Sequence, residues 1–136
     1  GRPSPEELLK RFREDLQKRT FDVRRLAKTE FLSLSPEAYK HAVEIESSKP
    51  RRAALEVALK MSPLPRQGEA VTYFIAPGAK NKAPDWQRAR PIDTFDAEKA
   101  PYDPGYYLEK LDDWIERYTA FLAPGSSGKL KQGELL

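Results

Sequence analysis

Apolar positions recur at helical spacing over two long stretches of the chain and at strand spacing over one short stretch. Near the C-terminal end Leu108, Leu111, Ile115, Tyr118 and Leu122 fall three or four residues apart, with Tyr107, Trp114 and Phe121 beside them. Glu109, Asp112, Asp113 and Glu116 occupy the other side, so the pattern predicts an amphipathic helix over 103–122 that must bury one broad face. Asp103 suits its N-cap and Pro104 its first turn, where a missing N–H costs nothing. At the other end, Ser4-Pro5-Glu6-Glu7 has the capping-box arrangement, and Leu8, Leu9, Phe12 and Leu16 continue it as a helix over 5–18. Asp22 can cap a short helix through Val23–Ala27, and Ser35-Pro36 opens another over 36–46. After the break at Ser47-Ser48-Lys49, Pro50 restarts a helix that runs to Lys60 with small residues fit for close packing.

The prolines and glycine of 61–68 exclude regular structure there. Val71-Thr72-Tyr73-Phe74-Ile75 reads as a strand, and 89–95 reads as its weaker partner, which Pro91 confines to an edge. Residues 77–84 between them read as a mobile loop. A ribbon of two strands is marginal alone, so helices must cover one face, and the helix over 103–122 is the expected cover. The expected fold is therefore α+β and mainly helical, with about five helices packed around a two-stranded antiparallel β-ribbon. In one domain over 1–122, the helical part spans 5–60, the ribbon 69–95 and the last helix 103–122. Residues 123–128 have the composition of a flexible linker, and the tail to 136 is either disordered or docked.

Composition narrows the setting. The chain has 136 residues, 39% apolar and 33% charged, which suits one ordinary domain. Mean hydropathy is −0.73 and no window reaches the length of a membrane span, so no membrane is expected as a partner. The absence of cysteine excludes disulfides and thiolate zinc sites and fits a cytoplasmic location, as does the lack of a charged-then-apolar leader. With Gly1 first and Met61 the sole methionine, the chain reads as a fragment or a processed product.

Candidate chemistry is sparse. The one histidine, His41, falls on the surface side of the third helix, which leaves no triad, no histidine metal site and no histidine acid–base pair. Glu109, Asp112, Asp113 and Glu116 lie where any amphipathic helix places its solvated face. Neither a G-x-G-x-x-G nor a G-K-[ST] run occurs. The chain by itself is expected to be non-catalytic, with no metal or cofactor. Charge, however, is uneven: residues 1–67 carry 15 basic against 10 acidic side chains and the remainder 9 against 11, within an overall net of +3. In the basic half Lys28, Lys40, Lys49, Arg51 and Arg52 mix with Thr29, Ser33, Ser35 and Tyr39, donors suited to phosphate oxygens, and Pro50 leaves free N–H groups at a helix start. That set forms a candidate backbone-gripping surface. On charge alone an ordinary solvated surface accounts for the same residues, the net charge being modest.

The order of motifs adds to this, because it resembles the thumb domain of family-B DNA polymerases of bacterial type. Leu26-Ala27-Lys28-Thr29-Glu30-Phe31-Leu32-Ser33-Leu34-Ser35-Pro36-Glu37-Ala38-Tyr39 is similar to the segment that begins the thumb's duplex contacts. Lys49-Pro50-Arg51-Arg52-Ala53-Ala54 resembles the family's Gly/Pro-Pro-His-Val helix start, and Gly68–Ile75 its Gly-x-x-Val-x-Tyr-x-Ile strand. Arg88–Ile92 resembles the returning strand, and Tyr102–Lys110 the Tyr-Asp-x-x-Tyr-Tyr-Ile/Leu helix. The resemblance spans about Leu8 to Leu122. It departs from the pattern at Leu34, where many members carry arginine, at Arg51, which replaces histidine, and over a longer 41–49 segment.

The resemblance implies a grip on primer–template duplex, independent of sequence, with Lys28, Thr29, Ser33, Ser35, Tyr39, Lys40, Arg51, Arg52 and Lys110 as DNA contacts and Lys80 and Lys82 as further ones. It places Mg²⁺ and the catalytic aspartates in the palm of the parent protein, since no Asp-Thr-Asp run occurs in this chain. Palm and exonuclease domains would be its neighbours, and the location nucleoid-associated. Gln132-Gly133-Glu134-Leu135-Leu136 is similar to the short peptides by which bacterial polymerases hold a sliding clamp. The alternative within the same resemblance is a protein-interaction or structural module in a degenerate or split polymerase homologue.

Overall fold

The computed structural model describes residues 3–78 and 83–122, with side chains along the last helix as far as Thr119. Lys80, Lys82 and the 132–136 segment lie outside the described residues. The chain divides into two compact units, one formed by its two ends and the other by Phe21–Asp103.

In the first unit the Ser4 hydroxyl accepts the Glu7 N–H at 3.2 Å and Pro5 opens helix α1 (Pro5–Gln17), as the capping box predicts. Helix α6 (Pro104–Leu122) packs against α1, burying Leu16 and Leu111, and the Arg13 guanidinium pairs with the Asp112 carboxylate. Within this unit the apolar face of the last helix is taken by α1. The sheet is covered from within its own unit.

That second unit begins with α2 (Val23–Leu26), where Asp22 Oδ1 accepts the Arg24 N–H at 3.0 Å. Strand β1 (Lys28–Phe31) follows, then α3 (Pro36–Ile45) and α4 (Ala53–Ala58). Strand β2 (Ala70–Ile75), the single turn α5 (Asp85–Arg88) and strand β3 (Ala89–Pro91) lead into a 3-10 turn at Ile92–Thr94. The sheet is antiparallel, in the order β1-β2-β3. The α+β class agrees with expectation, and the ribbon gains a third strand. Lys28–Phe31 has no apolar alternation, so nothing local marks it as a strand. It is held by pairing with β2, by a hydroxyl contact of 2.8 Å between Thr29 and Thr72, and by the Tyr73 hydroxyl donating to Glu30 at 2.7 Å. β3 is cut short at Pro91, which has no N–H to offer the ladder.

Helix α4 packs on β2 and β3 and buries Ala54, Leu55, Val57 and Ala58. Under it Phe74 is fully buried, with the Phe95 ring set edge-on at 5.4 Å and Tyr102 stacked beyond that at 6.3 Å. Arg88 donates to Asp103 at 2.6 Å, so the residue expected to cap the last helix anchors an ion pair inside this unit. Gly68 takes φ +88°, a left-handed conformation that suits glycine, and donates its N–H to Leu32 at 2.8 Å on the way into β2.

The loop after the 3-10 turn is organised by Asp96, whose Oδ1 accepts the N–H groups of Glu98 and Lys99, both at 2.9 Å. Those bonds, Lys99 first, favour the carboxylate and hold its pKa below the ordinary 3.8. A depressed folded-state pKa gives support that is present above the ordinary value and lost as pH falls through the folded one. The protection of the Glu98 and Lys99 amides, taken as exchange relative to the intrinsic rate at each pH, is therefore expected to fall at acid pH, and in Asp96→Ala to be lost already at neutral pH. Equal protection of those amides in the variant and the parent would contradict this.

Candidate nucleic-acid interface

Of the residues singled out in the basic half, Ser33, Ser35, Tyr39, Arg51 and Arg52 come together near the N-terminal ends of α3 and α4. Ser35 caps α3, its Oγ accepting the Ala38 N–H at 3.1 Å, with Pro36 in the first position. One turn later Tyr39 points inward and is only 3% exposed. Its hydroxyl donates to Glu56 Oε2 at 2.5 Å and accepts the Arg52 N–H at 3.1 Å. Burial first, and then the hydrogen bond to Glu56, raise the Tyr39 pKa above 10.0, against the opposing effects of the Arg52 N–H and the Arg51 charge.

This arrangement corrects two expectations. Tyr39 is a structural member of the site, since its hydroxyl is engaged by protein groups on both sides. Pro50 does not start a helix: the Arg52 N–H is held by Tyr39, Arg52 stays extended at φ −127° and ψ 124°, and α4 begins at Ala53. The N–H expected to be free for phosphate at Arg52 is therefore occupied.

Tyr39 and Glu56 fix the two arginines instead. Arg51 Nη1 lies 3.5 Å from Glu56 Oε2, and its guanidinium stands over the Trp86 ring at 5.2 Å. Arg52 is exposed and its guanidinium donates to Ser33 Oγ, while Gln67 Nε2 donates to the Ser33 carbonyl at 3.0 Å. Ser33, Tyr39, Arg51 and Arg52 are thereby joined in one network around a single carboxylate. Two guanidinium charges against one carboxylate leave the cluster cationic. Lys40 is exposed on α3 beside Tyr39 and makes no ion pair among the described residues.

The remaining positions are not part of that network. Lys28 and Thr29 are neighbours on β1, so the two-residue period turns them to opposite faces of the sheet. Lys28 pairs with Glu30 at 3.4 Å, and Thr29 is engaged with Thr72 across the sheet. Lys110 belongs to the unit of α1 and α6, where its ammonium stands over Tyr106 at 5.4 Å. Sequence reasoning missed Glu56, Trp86 and Gln67. Glu56 had a signal, four residues after Arg52 on a helical segment; Trp86 and Gln67 reach the site only through the fold.

His41 is exposed, and the described residues hold no group of three potential metal ligands. Among the described residues no helix is long and apolar enough to cross a membrane.

A three-stranded antiparallel sheet covered by a short helix, carrying an arginine pair at the mouth of that helix, defines a small α+β domain with a cationic rim. Among solved structures the chain is similar to the family B DNA polymerase from the hyperthermophilic archaeon Pyrobaculum calidifontis, with a TM-score of 0.58 and 20% identity. The similarity covers 91% of this chain and 15% of that polymerase, and at this identity it shows the fold: a domain like one found within a family-B DNA polymerase. No family model matches the sequence, and no curated protein does either.

Proposed function

We propose that this chain is the thumb of a family-B DNA polymerase and holds primer–template duplex by its backbone. The observation that carries the reading is the pair Arg51 and Arg52, fixed at the mouth of α4 by Tyr39 and Glu56, with Ser33 and Ser35 beside them. Arginine and hydroxyl donors on a fixed backbone suit phosphate oxygens and carry no sequence information, which is what a polymerase needs from a duplex grip. The fold likeness and the motif order support the same reading. Nucleotidyl transfer and Mg²⁺ belong, on this proposal, to a palm in the parent protein, with the palm and exonuclease domains as neighbours and a nucleoid-associated location. A bacterial subtype draws no support from an archaeal neighbour.

The test is the salt dependence of duplex binding. With about four phosphate contacts, log affinity should fall with log salt at a slope of about −3 to −4, and Arg51→Ala with Arg52→Ala should reduce that slope by about two. Affinity at low salt should drop at least about tenfold, roughly equally for unrelated sequences. A folded double variant with the parent's affinity and slope would refute the assignment.

A second reading, an interaction module of a degenerate or split polymerase homologue, is favoured by one feature. Phe31 on the edge strand is 73% exposed, and Leu34 nearby is 42% exposed. In that case Phe31→Ser would abolish partner capture, and the arginine variant would leave it intact.

A further inference from the structure

A cleft of about 510 Å³ opens in the 21–103 unit where α4 has ended and β3 begins. Lys60, Arg90 and Lys99 are among its ten lining residues, none of which is acidic, and Pro77 and Pro101 form apolar wall beside them. Two of the three cations are drawn together by one atom. Lys60 Nζ donates to the Ala89 carbonyl at 3.1 Å, and Arg90 Nη1 donates to the same oxygen at 2.9 Å and to the Gln87 carbonyl at 2.8 Å. Two like charges therefore sit within about 6 Å of each other. Neither makes an ion pair among the described residues.

The Lys60 ammonium responds to this setting. Although the residue as a whole is open to solvent, partial desolvation at the Ala89 carbonyl, and then the Arg90 charge, hold its pKa below the ordinary 10.5, with Glu56 pulling the other way. Lys99 stands on the turn that Asp96 organises, which places a third cation at the rim. The fold has thus gathered positive charge around a concave surface whose lining carries no carboxylate, with Glu56 offsetting it only from outside the cleft.

We propose that this cleft binds the phosphate group of a nucleotide-sized ligand. Lys60, Arg90 and Lys99 take the phosphate oxygens, and the wall at Pro77 and Pro101 takes the less polar body. A guanidinium and two ammonium groups converging from separate elements match an anion with several oxygens better than a single carboxylate. The volume falls in the range of small-ligand clefts, about 300–1,000 Å³, and exceeds what inorganic phosphate alone would fill. The phosphate can come from a free mononucleotide or from within a DNA strand. The site stands apart from the arginine pair, since Arg52 precedes α4 and Lys60 follows it.

The test is an NMR titration of the whole chain with deoxyadenosine monophosphate, deoxyadenosine, inorganic phosphate and a short single strand lacking terminal phosphates. The monophosphate should shift the amides of residues 89, 90, 99 and 100, inorganic phosphate should do so more weakly, and the nucleoside should not. Tighter binding of the monophosphate than of the strand makes the free nucleotide the ligand, and the reverse makes it a strand phosphate; both uphold the site. Lys60→Met with Lys99→Ala should weaken binding at least tenfold and leave duplex binding through Arg51 and Arg52 in place, so the two readings can fail separately. Lys99→Glu, at an exposed position, serves the same purpose if the Lys60 change unfolds the chain. No shift with any phosphate probe, equal binding of the nucleoside, or parent-like binding by a folded variant would overturn the proposal.

Discussion

Replacing Phe74 by alanine is expected to lower the stability of the 21–103 unit by about 3–5 kcal/mol, the largest loss among the changes considered for this protein. Phe74 is fully buried, lies in the central strand, and supports the Phe95 ring, on which Tyr102 stacks. Truncation removes the transfer free energy of the ring and also leaves a cavity that a covering helix and a three-stranded sheet cannot collapse to fill. Against a total stability of about 5–15 kcal/mol for a domain, that loss leaves the unit marginal or unfolded. Phe74→Leu, which keeps most of the volume, should cost markedly less. Denaturant unfolding of the two variants checks this, and equal midpoints for both would show that the ring does not organise the core.

Tyr39→Phe is expected to cost about 2–3 kcal/mol although it removes one atom. The lost hydroxyl donates to the Glu56 carboxylate and accepts the Arg52 N–H, so one change withdraws a hydrogen bond to a charged group and leaves a backbone donor without its partner. Duplex affinity should fall with it, because the extended turn that presents Arg51 and Arg52 is held by the same oxygen. A double-mutant cycle with Glu56→Gln separates the two effects: the coupling should be about 1 kcal/mol or more if the contact is real. The pH dependence has a definite sign. The folded-state pKa of Tyr39 is raised, so its contribution is present in full below about pH 10, the ordinary value, and is lost as pH rises through the raised one. Ultraviolet titration of the parent and of Tyr39→Phe should differ by a late-ionising component that the variant lacks. Identical titration curves, or a Phe variant of parent stability, would refute this account.

The helix starts were legible because their determinants are local. Ser4-Pro5, Asp22 and Ser35-Pro36 each cap the helix their order predicts, since a cap needs only a side-chain oxygen two or three residues before the N–H it accepts. The period of 71–75 marked the central strand for the same reason. Pro50 misled because the rule that favours proline in a first turn says nothing about a tyrosine eleven residues earlier that holds the Arg52 N–H outside the helix.

The candidate site was legible as residue types and not as an arrangement. Lys28, Thr29, Ser33, Ser35, Tyr39, Lys40, Arg51, Arg52 and Lys110 are all potential phosphate donors by chemistry. Burial removed Tyr39 from the list and gave it to the scaffold, strand alternation set Lys28 against Thr29, and Lys110 went to the other unit.

Local order in the chain decided where helices begin, which stretch is the central strand, and that the chemistry on offer is cationic and hydroxylic. Capping, proline geometry and apolar period act over a few residues, and their free energies are written into neighbouring side chains. Only the tertiary structure made a strand of the polar Lys28–Phe31, turned Tyr39 into the clasp of an arginine pair, and brought Lys60, Arg90 and Lys99 to one cleft. Those outcomes depend on the pairing of β2 with both its neighbours and on α4 lying across the sheet, contacts between residues far apart in sequence whose energy exists only once the chain has closed on itself.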